Sequence, residues 1–120
     1  MDIEKIREYC LNKPGTSESL PFDETTLVFK VMSKMYCLLN MEPPFSINLK
    51  CLPEKAIELR EQFEDVQPGY HMNKKHWNTI LLDGNLKDSQ VIEWINDSYN
   101  LVAAGLTKKE KTELTELLNK

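Results

Sequence analysis

The sequence predicts an α+β domain in which an antiparallel sheet has helices packed on one face and is partly open on the other. Apolar and polar residues alternate at 26–31 and at 45–50, as they do in half-buried strands. Segments with apolar residues at helical spacing lie before and after them, and turns with proline or glycine separate the segments. The predicted order is α-β-β-β(-β)-α-β-α-α, and 120 residues suit a single domain, 1–120.

The first half of the chain predicts a helix followed by strands. Asp2 is placed to cap a helix that has Ile6 and Cys10 on one face, and Pro14-Gly15 ends that helix. Alternating apolar and polar residues then predict strands at 26–31 and 45–50, and a short connection at 32–34 leads to a further strand at 35–40.

The second half of the chain predicts one more strand among three helices. We expect Gln67-Pro68-Gly69 to form a turn. We expect Trp77, in the strand, and Tyr99, in the long helix, to anchor the core. The predicted elements are a helix from Pro53, a strand at 77–82 closed by Asp83-Gly84, a helix from Asp88 stopped by Gly105, and a helix capped by Thr107 with Glu110.

The formal net charge of −4 argues against nucleic-acid binding, because domains with that function are commonly basic. The charge is uneven, however. Most acids lie at 1–24 and 54–65, whereas Glu42 is the single acid between 25 and 53 and none lies between 66 and 80. The segments poor in acids hold Lys30, Lys34, Lys50, Lys74 and Lys75.

The chain has the features of a cytoplasmic protein. The start from Met1 to Lys5 contains two acids and no apolar stretch, unlike a signal peptide. No apolar run approaches the ~20 residues that cross a bilayer, so we expect no membrane partner. A monomer is the default expectation for the oligomeric state. Cys10, Cys37 and Cys51 are widely spaced, and we expect them to be buried hydrophobic side chains without a disulfide or a zinc site.

The histidines His71 and His76, together with Asp83, are candidate metal ligands. Their spacing would point the two histidines to opposite faces of a strand, and transition-metal sites need three or four converging ligands. The sequence also lacks the Gly-x-Ser-x-Gly, P-loop and Gly-x-Gly-x-x-Gly patterns of enzymes. We therefore expect no metal, no cofactor and no catalytic residue.

Several stretches carry a family resemblance. The first is 68–79, Pro-Gly-Tyr-His-Met-Asn-Lys-Lys-His-Trp-Asn-Thr, followed by Leu82-Asp83-Gly84. The others are Pro21-Phe22 leading into 28–31, then Ser98-Tyr99-x-Leu101-Val102, then 106–109. In this order, over most of the chain, they resemble the MmcQ/YjbR family. The chain departs from that family's pattern at 32–34, where relatives often carry glycine, and at Thr107, where many carry proline.

The resemblance implies a YjbR-like α/β fold, grouped with frataxin-like architectures and compared with double-wing DNA-binding domains. It thereby implies DNA as a partner. A frataxin-like iron site is not expected, because the acids Asp2, Glu4 and Glu8 of the first helix are interleaved with Lys5 and Arg7.

The candidate nucleic-acid-binding residues are basic side chains of the acid-poor segments and of the last helix. Lys30 and Lys50, which are on strands, lie on the same polar side as Ser46 and Asn48. A sheet face that is simply exposed to water would explain this polarity equally well. The pair in the last helix lies beside free N–H groups that suit phosphate, although a solvated helix end would also tolerate it. The aromatic residues Tyr70 and Trp77 would pack in the core if their motif is a structural turn. The candidates are Lys30, Lys50, Lys74, Lys75, His76, Lys108 and Lys109.

The function predicted from these observations is non-catalytic DNA binding of the MmcQ/YjbR type, in which the Lys/aromatic surface contacts the nucleic-acid backbone. The alternative is a small protein-interaction or regulatory domain whose same surface meets an acidic protein partner. A third hypothesis is an uncharacterised enzyme or small-ligand binder, which a deep apolar pocket with shifted titratable groups would favour.

Overall fold

The computed structural model describes residues 1–69 and 72–119, and these residues form the predicted α+β fold. The elements are α1 (Ile3–Leu11), β1 (Thr16–Ser19), β2 (Thr26–Val31), β3 (Lys34–Asn40), β4 (Ser46–Lys50), α2 (Pro53–Gln62), β5 (Val66–Pro68), β6 (Trp77–Leu81), α3 (Asp88–Ala104) and α4 (Lys108–Leu118). The strands form one antiparallel sheet with the order β1-β2-β3-β4-β6-β5.

Two short edge strands complete the sheet. The predicted order allowed either three or four strands before α2, and the structure has four, because β1 forms an additional strand. β5 occupies most of the segment 67–69, so the turn predicted there is wrong: Gln67 pairs with Thr79 of β6. Proline is tolerated in β5 because an edge strand can lack one backbone donor. Gly69 N then donates to the Trp77 carbonyl oxygen at 2.8 Å.

The main hydrophobic core lies between the sheet and the helices. Alternate residues of β2 and β4 point to this side, as the sequence pattern predicts. α1 contributes Ile6 and Cys10 to the core, and α3 contributes Val91, Ile95 and Val102. The strand residues in the core are Leu27, Phe29, Val31, Tyr36, Cys37, Leu39, Ile47, Leu49, Val66 and Ile80.

Two tyrosines join the sheet to α3 within this core. A register shift between Phe29 and Lys30 in the pairing of β2 with β3 leaves Tyr36 as an extra residue, which is buried in the helix-side core. The Tyr36 ring lies edge-on to Tyr99 of α3, with the centroids 5.2 Å apart. The Tyr99 hydroxyl donates to the Pro14 carbonyl oxygen at 2.5 Å. Tyr99 is therefore the core anchor that the sequence predicts.

A buried hydroxyl replaces backbone pairing at one end of β3 and β4. The pairing of these strands reaches Cys37 and Leu49 and then stops. Beyond it, Ser98 of α3, which is 0% exposed, accepts a hydrogen bond from Lys50 N at 2.8 Å. The same hydroxyl donates to the Tyr36 carbonyl oxygen at 2.6 Å, so it links the two strands through the helix.

The opposite face of the sheet carries a smaller hydrophobic cluster. Val28, Leu38 and Trp77 pack together there, and Met35 and Met72 lie against them. Trp77 is 8% exposed and is therefore buried, as predicted. It faces away from the helices, however, so it anchors this second cluster and not the helix-side core.

Two of the cysteines belong to the helix-side core. Cys10 and Cys37 are buried, as predicted, whereas Cys51 is half-buried. Hydrogen bonding with Cys10 and burial raise the pKa of the Cys37 thiol well above its ordinary value. The Cys37 thiol therefore stays protonated near neutral pH.

Within the described ranges 1–69 and 72–119, no helix has both the length and the apolar character needed to cross a membrane. Tyr70 and His71 of the predicted motif lie outside the described residues.

Candidate nucleic-acid interface

Most of the predicted site residues lie at one end of the sheet, where β2 and β4 finish and β3 and β6 begin. Lys30 is next to last in β2, and Lys50 is the last residue of β4 and pairs with Trp77. Both lysines are half-buried on the open face. β3 separates their strands, which are therefore about 10 Å apart. We call the region that holds Lys30, Lys50, Lys74 and Lys75 the lysine end.

A tight turn before β6 presents Lys74 and Lys75. The Asn73 carbonyl oxygen accepts from His76 N at 3.1 Å and from the first amide of β6 at 2.9 Å. Asn73 Oδ1 accepts from Lys75 N at 2.9 Å. The His76 carbonyl oxygen accepts from Cys51 N at 2.7 Å, which fixes the turn beside the end of β4. The two lysine side chains are thus exposed on a restrained backbone, while the His76 side chain is half-buried.

Arg60 of α2 holds this turn from the helix side. Its Nε donates to Asn78 Oδ1 at 2.7 Å, and its Nη2 donates to the carbonyl oxygens of Lys74 and of Trp77, the latter at 3.2 Å. Asn78 is 2% exposed, and its Nδ2 donates to the Ala56 carbonyl oxygen at 3.3 Å. The guanidinium therefore connects α2 to the turn and to β6. Sequence reasoning missed Arg60, because its position on a helix does not indicate which loop it reaches.

Replacing Arg60 by alanine should lower the free energy of unfolding by about 1.5–3 kcal/mol, because a charged donor is lost and Asn78 Oδ1 loses its donor. Arg60→Lys should recover little of the lost free energy of unfolding, since an ammonium group cannot present the planar, forked donors of the guanidinium. Urea unfolding measures the change, with Lys55→Ala at an exposed position of the same helix as the control. A loss below ~0.5 kcal/mol for Arg60→Ala, the range of ordinary surface substitutions, would contradict this role.

Lys108 and Lys109 begin α4 and lie on the helix side of the same end of the sheet. Glu110 positions them there, because its carboxylate accepts a hydrogen bond from Ser33 N in the β2–β3 turn at 3.1 Å. Hydrogen bonding from Ser33 lowers the pKa of Glu110, so an ionised acid lies beside the two lysines. Thr107 Oγ1 also accepts from Glu110 N at 3.2 Å. The helix start is therefore a weaker phosphate site than the sequence alone indicates.

Lys34 belongs to the same end of the sheet, although we did not predict it as a site residue. Its Nζ donates to the Gly105 carbonyl oxygen at 2.5 Å, at the C-terminus of α3. A cation at this position satisfies a terminal helix carbonyl. Lys34 therefore adds positive charge while its ammonium group is already engaged.

A groove of ≈ 650 Å³ lies on the open face, mostly at the end remote from Lys30, and its near edge reaches Asn48, two residues before Lys50. Polar side chains of β4 and β6 lie in its floor, where Thr79 Oγ1 donates to Asn48 Oδ1 at 2.5 Å. Apolar side chains of the connecting loops line its walls, and Phe22 among them is 63% exposed. The sequence indicates the polar side of β4, but Phe22 lies in a loop without periodicity, so the groove was not predicted. The groove is lined in part by Phe22, Pro44, Ser46, Asn48, Pro68, Met72 and Thr79.

The open face has a positive end and a negative end. Asp23 lines the groove at the end remote from Lys30, where Thr26 pairs with Asn40. Hydrogen bonds from the backbone amides of Thr25, at 2.9 Å, and of Thr26, at 2.7 Å, lower the pKa of Asp23 and keep it ionised. Among the described strand residues that point to this face, none is aspartate or glutamate. An anion on this face is therefore favoured at the lysine end.

The described residues do not bring the candidate metal ligands together. His76 precedes β6 and Asp83 follows it, so the strand separates them, and His71 lies outside the description. In 1–69 and 72–119, no three His, Cys, Asp or Glu side chains converge. The expectation of no metal stays a prediction.

The fold and its open face define a class of small α+β domains, with helices on one side of an antiparallel sheet and a groove and lysine side chains on the other. The YjbR family model matches residues 11–101. Uncharacterized protein YjbR of Escherichia coli (strain K12) is 37% identical over 115 residues, which are 95% of this chain and 97% of that protein. The chain belongs to the YjbR family.

Solved structures agree with this assignment. Deinococcus radiodurans protein DR2400, with domain DUF419, matches with a TM-score of 0.86 and 42% identity over 94% of this chain and 87% of that chain. A crystal structure of a Pseudomonas syringae protein matches with a TM-score of 0.75 and 30% identity over 84% of this chain and 98% of that chain. The names of these relatives state no activity, so a function must be inferred from the open face itself.

Proposed function

We propose that this protein binds nucleic acid without catalysis, through contacts between the lysine end and the phosphate backbone. The proposal rests on one observation: four lysines from three separate segments lie at the same end of the sheet. They border the open face, whose described strand residues include no aspartate or glutamate. The four are Lys30, Lys50, Lys74 and Lys75. Such a grouping creates a local positive field in a chain whose formal net charge is −4.

The chemistry of this surface suits backbone contacts. Lysine ammonium groups act as point charges toward phosphate and carry little sequence information. His76 adds a half-buried side chain at the same turn, and Lys108 and Lys109 extend the positive charge toward the helix side. The remaining acids oppose any polyanion, so the binding is weak and depends steeply on salt. The family's comparison with double-wing DNA-binding domains supports the same function, in a cytoplasmic setting.

The salt dependence of binding tests this proposal. Four lysine–phosphate contacts predict a slope of about −3.6 in a plot of log affinity against log salt for duplex DNA. Each of the variants Lys30→Gln, Lys50→Gln, Lys74→Gln and Lys75→Gln should make the slope shallower by about 0.9, because one counterion fewer is released. Fluorescence anisotropy with a labelled duplex at several salt concentrations measures the slopes.

The control variant is Lys5→Gln on α1, which is exposed and lies away from the lysine end, because the start of α1 lies near Phe45 and Asp83. It changes the net charge by the same amount, so a local effect leaves its slope unaltered. Undetectable binding at ~100 μM protein and low salt, where non-specific binders bind, would contradict the proposal. The lysine end would then be assigned to an acidic protein partner.

A further inference from the structure

We propose that the groove on the open face takes unpaired bases of single-stranded nucleic acid while the lysine end holds the adjoining backbone. This inference rests on the proposed function and names its substrate class. The groove and the lysines share one face, and a base and its phosphate need both a slot with polar uncharged side chains, such as Ser46 and Asn48, and a nearby cation.

The side chains of the groove suit a flat, uncharged and polar ring. Asn48 Nδ2 and Ser46 Oγ have no hydrogen-bond partner among the residues that the structure describes, and both line the groove. Gln67 adds a further exposed amide at the wall. Amide and hydroxyl groups can pair with the edge of any base that is free of a complementary strand. The exposed ring of Phe22 supplies an aromatic surface for stacking.

The spacing along the strands matches a nucleotide. Asn48 precedes Lys50 by two residues in β4 and points to the same face, so their side chains start about 7 Å apart. A base held at Asn48, at the edge of the groove nearest Lys50, thus places its phosphate at the lysine end. The ionised Asp23 at the remote wall repels a phosphate there, which favours the lysine end for the backbone.

A single strand fits this site better than a duplex or a peptide does. In a duplex the base edges are paired and stacked, so only an unpaired base can enter the groove and reach Asn48 in its floor. An extended peptide would be expected to add to a sheet edge, whereas this groove lies across the face of the sheet. Charge complementarity with the lysine end also favours a polyanion.

The experiment compares three labelled probes by fluorescence anisotropy at low salt: a single-stranded oligonucleotide, its duplex, and an abasic strand of equal length. The single strand should bind about tenfold more tightly than the abasic strand, in the range of losing one stacked base. Phe22→Ser and Asn48→Leu should reduce that preference toward equality without altering the salt slope. Leu118→Ser is the matched control, because Leu118 is 60% exposed and lies on α4.

The outcomes separate this inference from the proposed function. If single strand, abasic strand and duplex bind equally while the lysine variants still reduce the salt slope, backbone binding stands and the groove inference is overturned. If no probe binds, both are overturned. If Phe22→Ser abolishes binding of a defined peptide and leaves the oligonucleotide preference unchanged, the groove belongs to a protein partner and the inference is also overturned. Circular dichroism of each variant confirms that it is folded.

Discussion

Replacing Tyr99 by alanine is expected to lower the free energy of unfolding by about 3–5 kcal/mol, as for other large aromatic side chains removed from cores. The ring is 8% exposed, packs edge-on against Tyr36 and lies 4.5 Å from Lys13 Nζ. Alanine would leave a cavity between α3 and the sheet and would remove the hydroxyl that holds the Pro14 carbonyl oxygen. Urea or thermal unfolding measures the change.

Tyr99→Phe separates the ring from the hydroxyl. It keeps the packing and removes one hydrogen bond, so it should cost about 0.5–1.5 kcal/mol. Burial raises the pKa of Tyr99, so the hydroxyl still donates at mildly alkaline pH and the difference between the variants should persist there. Equal losses for Tyr99→Phe and Tyr99→Ala would show that the hydrogen bond, and not the ring, anchors α3.

Replacing Trp77 by alanine should also cost about 3–5 kcal/mol, although Trp77 lies on the side without helices. It is the largest member of the cluster with Val28 and Leu38, and it is 8% exposed. Its loss would expose the middle of the sheet to water and loosen the turn before β6. Thermal unfolding measures the stability, and hydrogen exchange locates the loosened segment.

The segments that lose protection against hydrogen exchange distinguish the Trp77 variant from the Tyr99 variant. Hydrogen exchange in Trp77→Ala should rise first in β6 and in residues 73–76, while α1 and α3 stay protected. Trp77→Phe, which keeps an aromatic ring in the cluster, should recover more than half of the lost stability. An unchanged melting temperature for Trp77→Ala would contradict a packing role and make Trp77 a contact residue of the open face.

The sequence predicted the sheet because apolar and polar residues alternate along β2 and β4, and it predicted α3 because its apolar residues follow a helical period. It could not predict β5, since three residues with proline and glycine resemble a turn unless the neighbouring strand is known. Nor could it assign Trp77 to a side of the sheet, because both sides of β6 are buried. Periodicity reports burial, and it does not report which layer covers a residue.

The candidate site was predicted in part. Charge distribution identified Lys30, Lys50, Lys74 and Lys75 before their proximity was known, because acid-poor segments are visible in the sequence. The groove was not visible, since its walls come from loops that are distant in sequence. Arg60 was missed for the same reason: what it contacts depends on the packing of α2 against β6.

The Ser98 hydroxyl links the spacing of the strands under the open face to the position of α3. Because it stands between Lys50 N and the Tyr36 carbonyl oxygen, the width of the sheet at this point depends on the depth at which α3 sits. A change of side chain on the hidden face of α3 would then shift the separation of Lys30 and Lys50 without altering any surface residue. Two chains of this kind with identical lysines on the open face can therefore present different charge spacings, and Ser98 is the position at which to look for the difference.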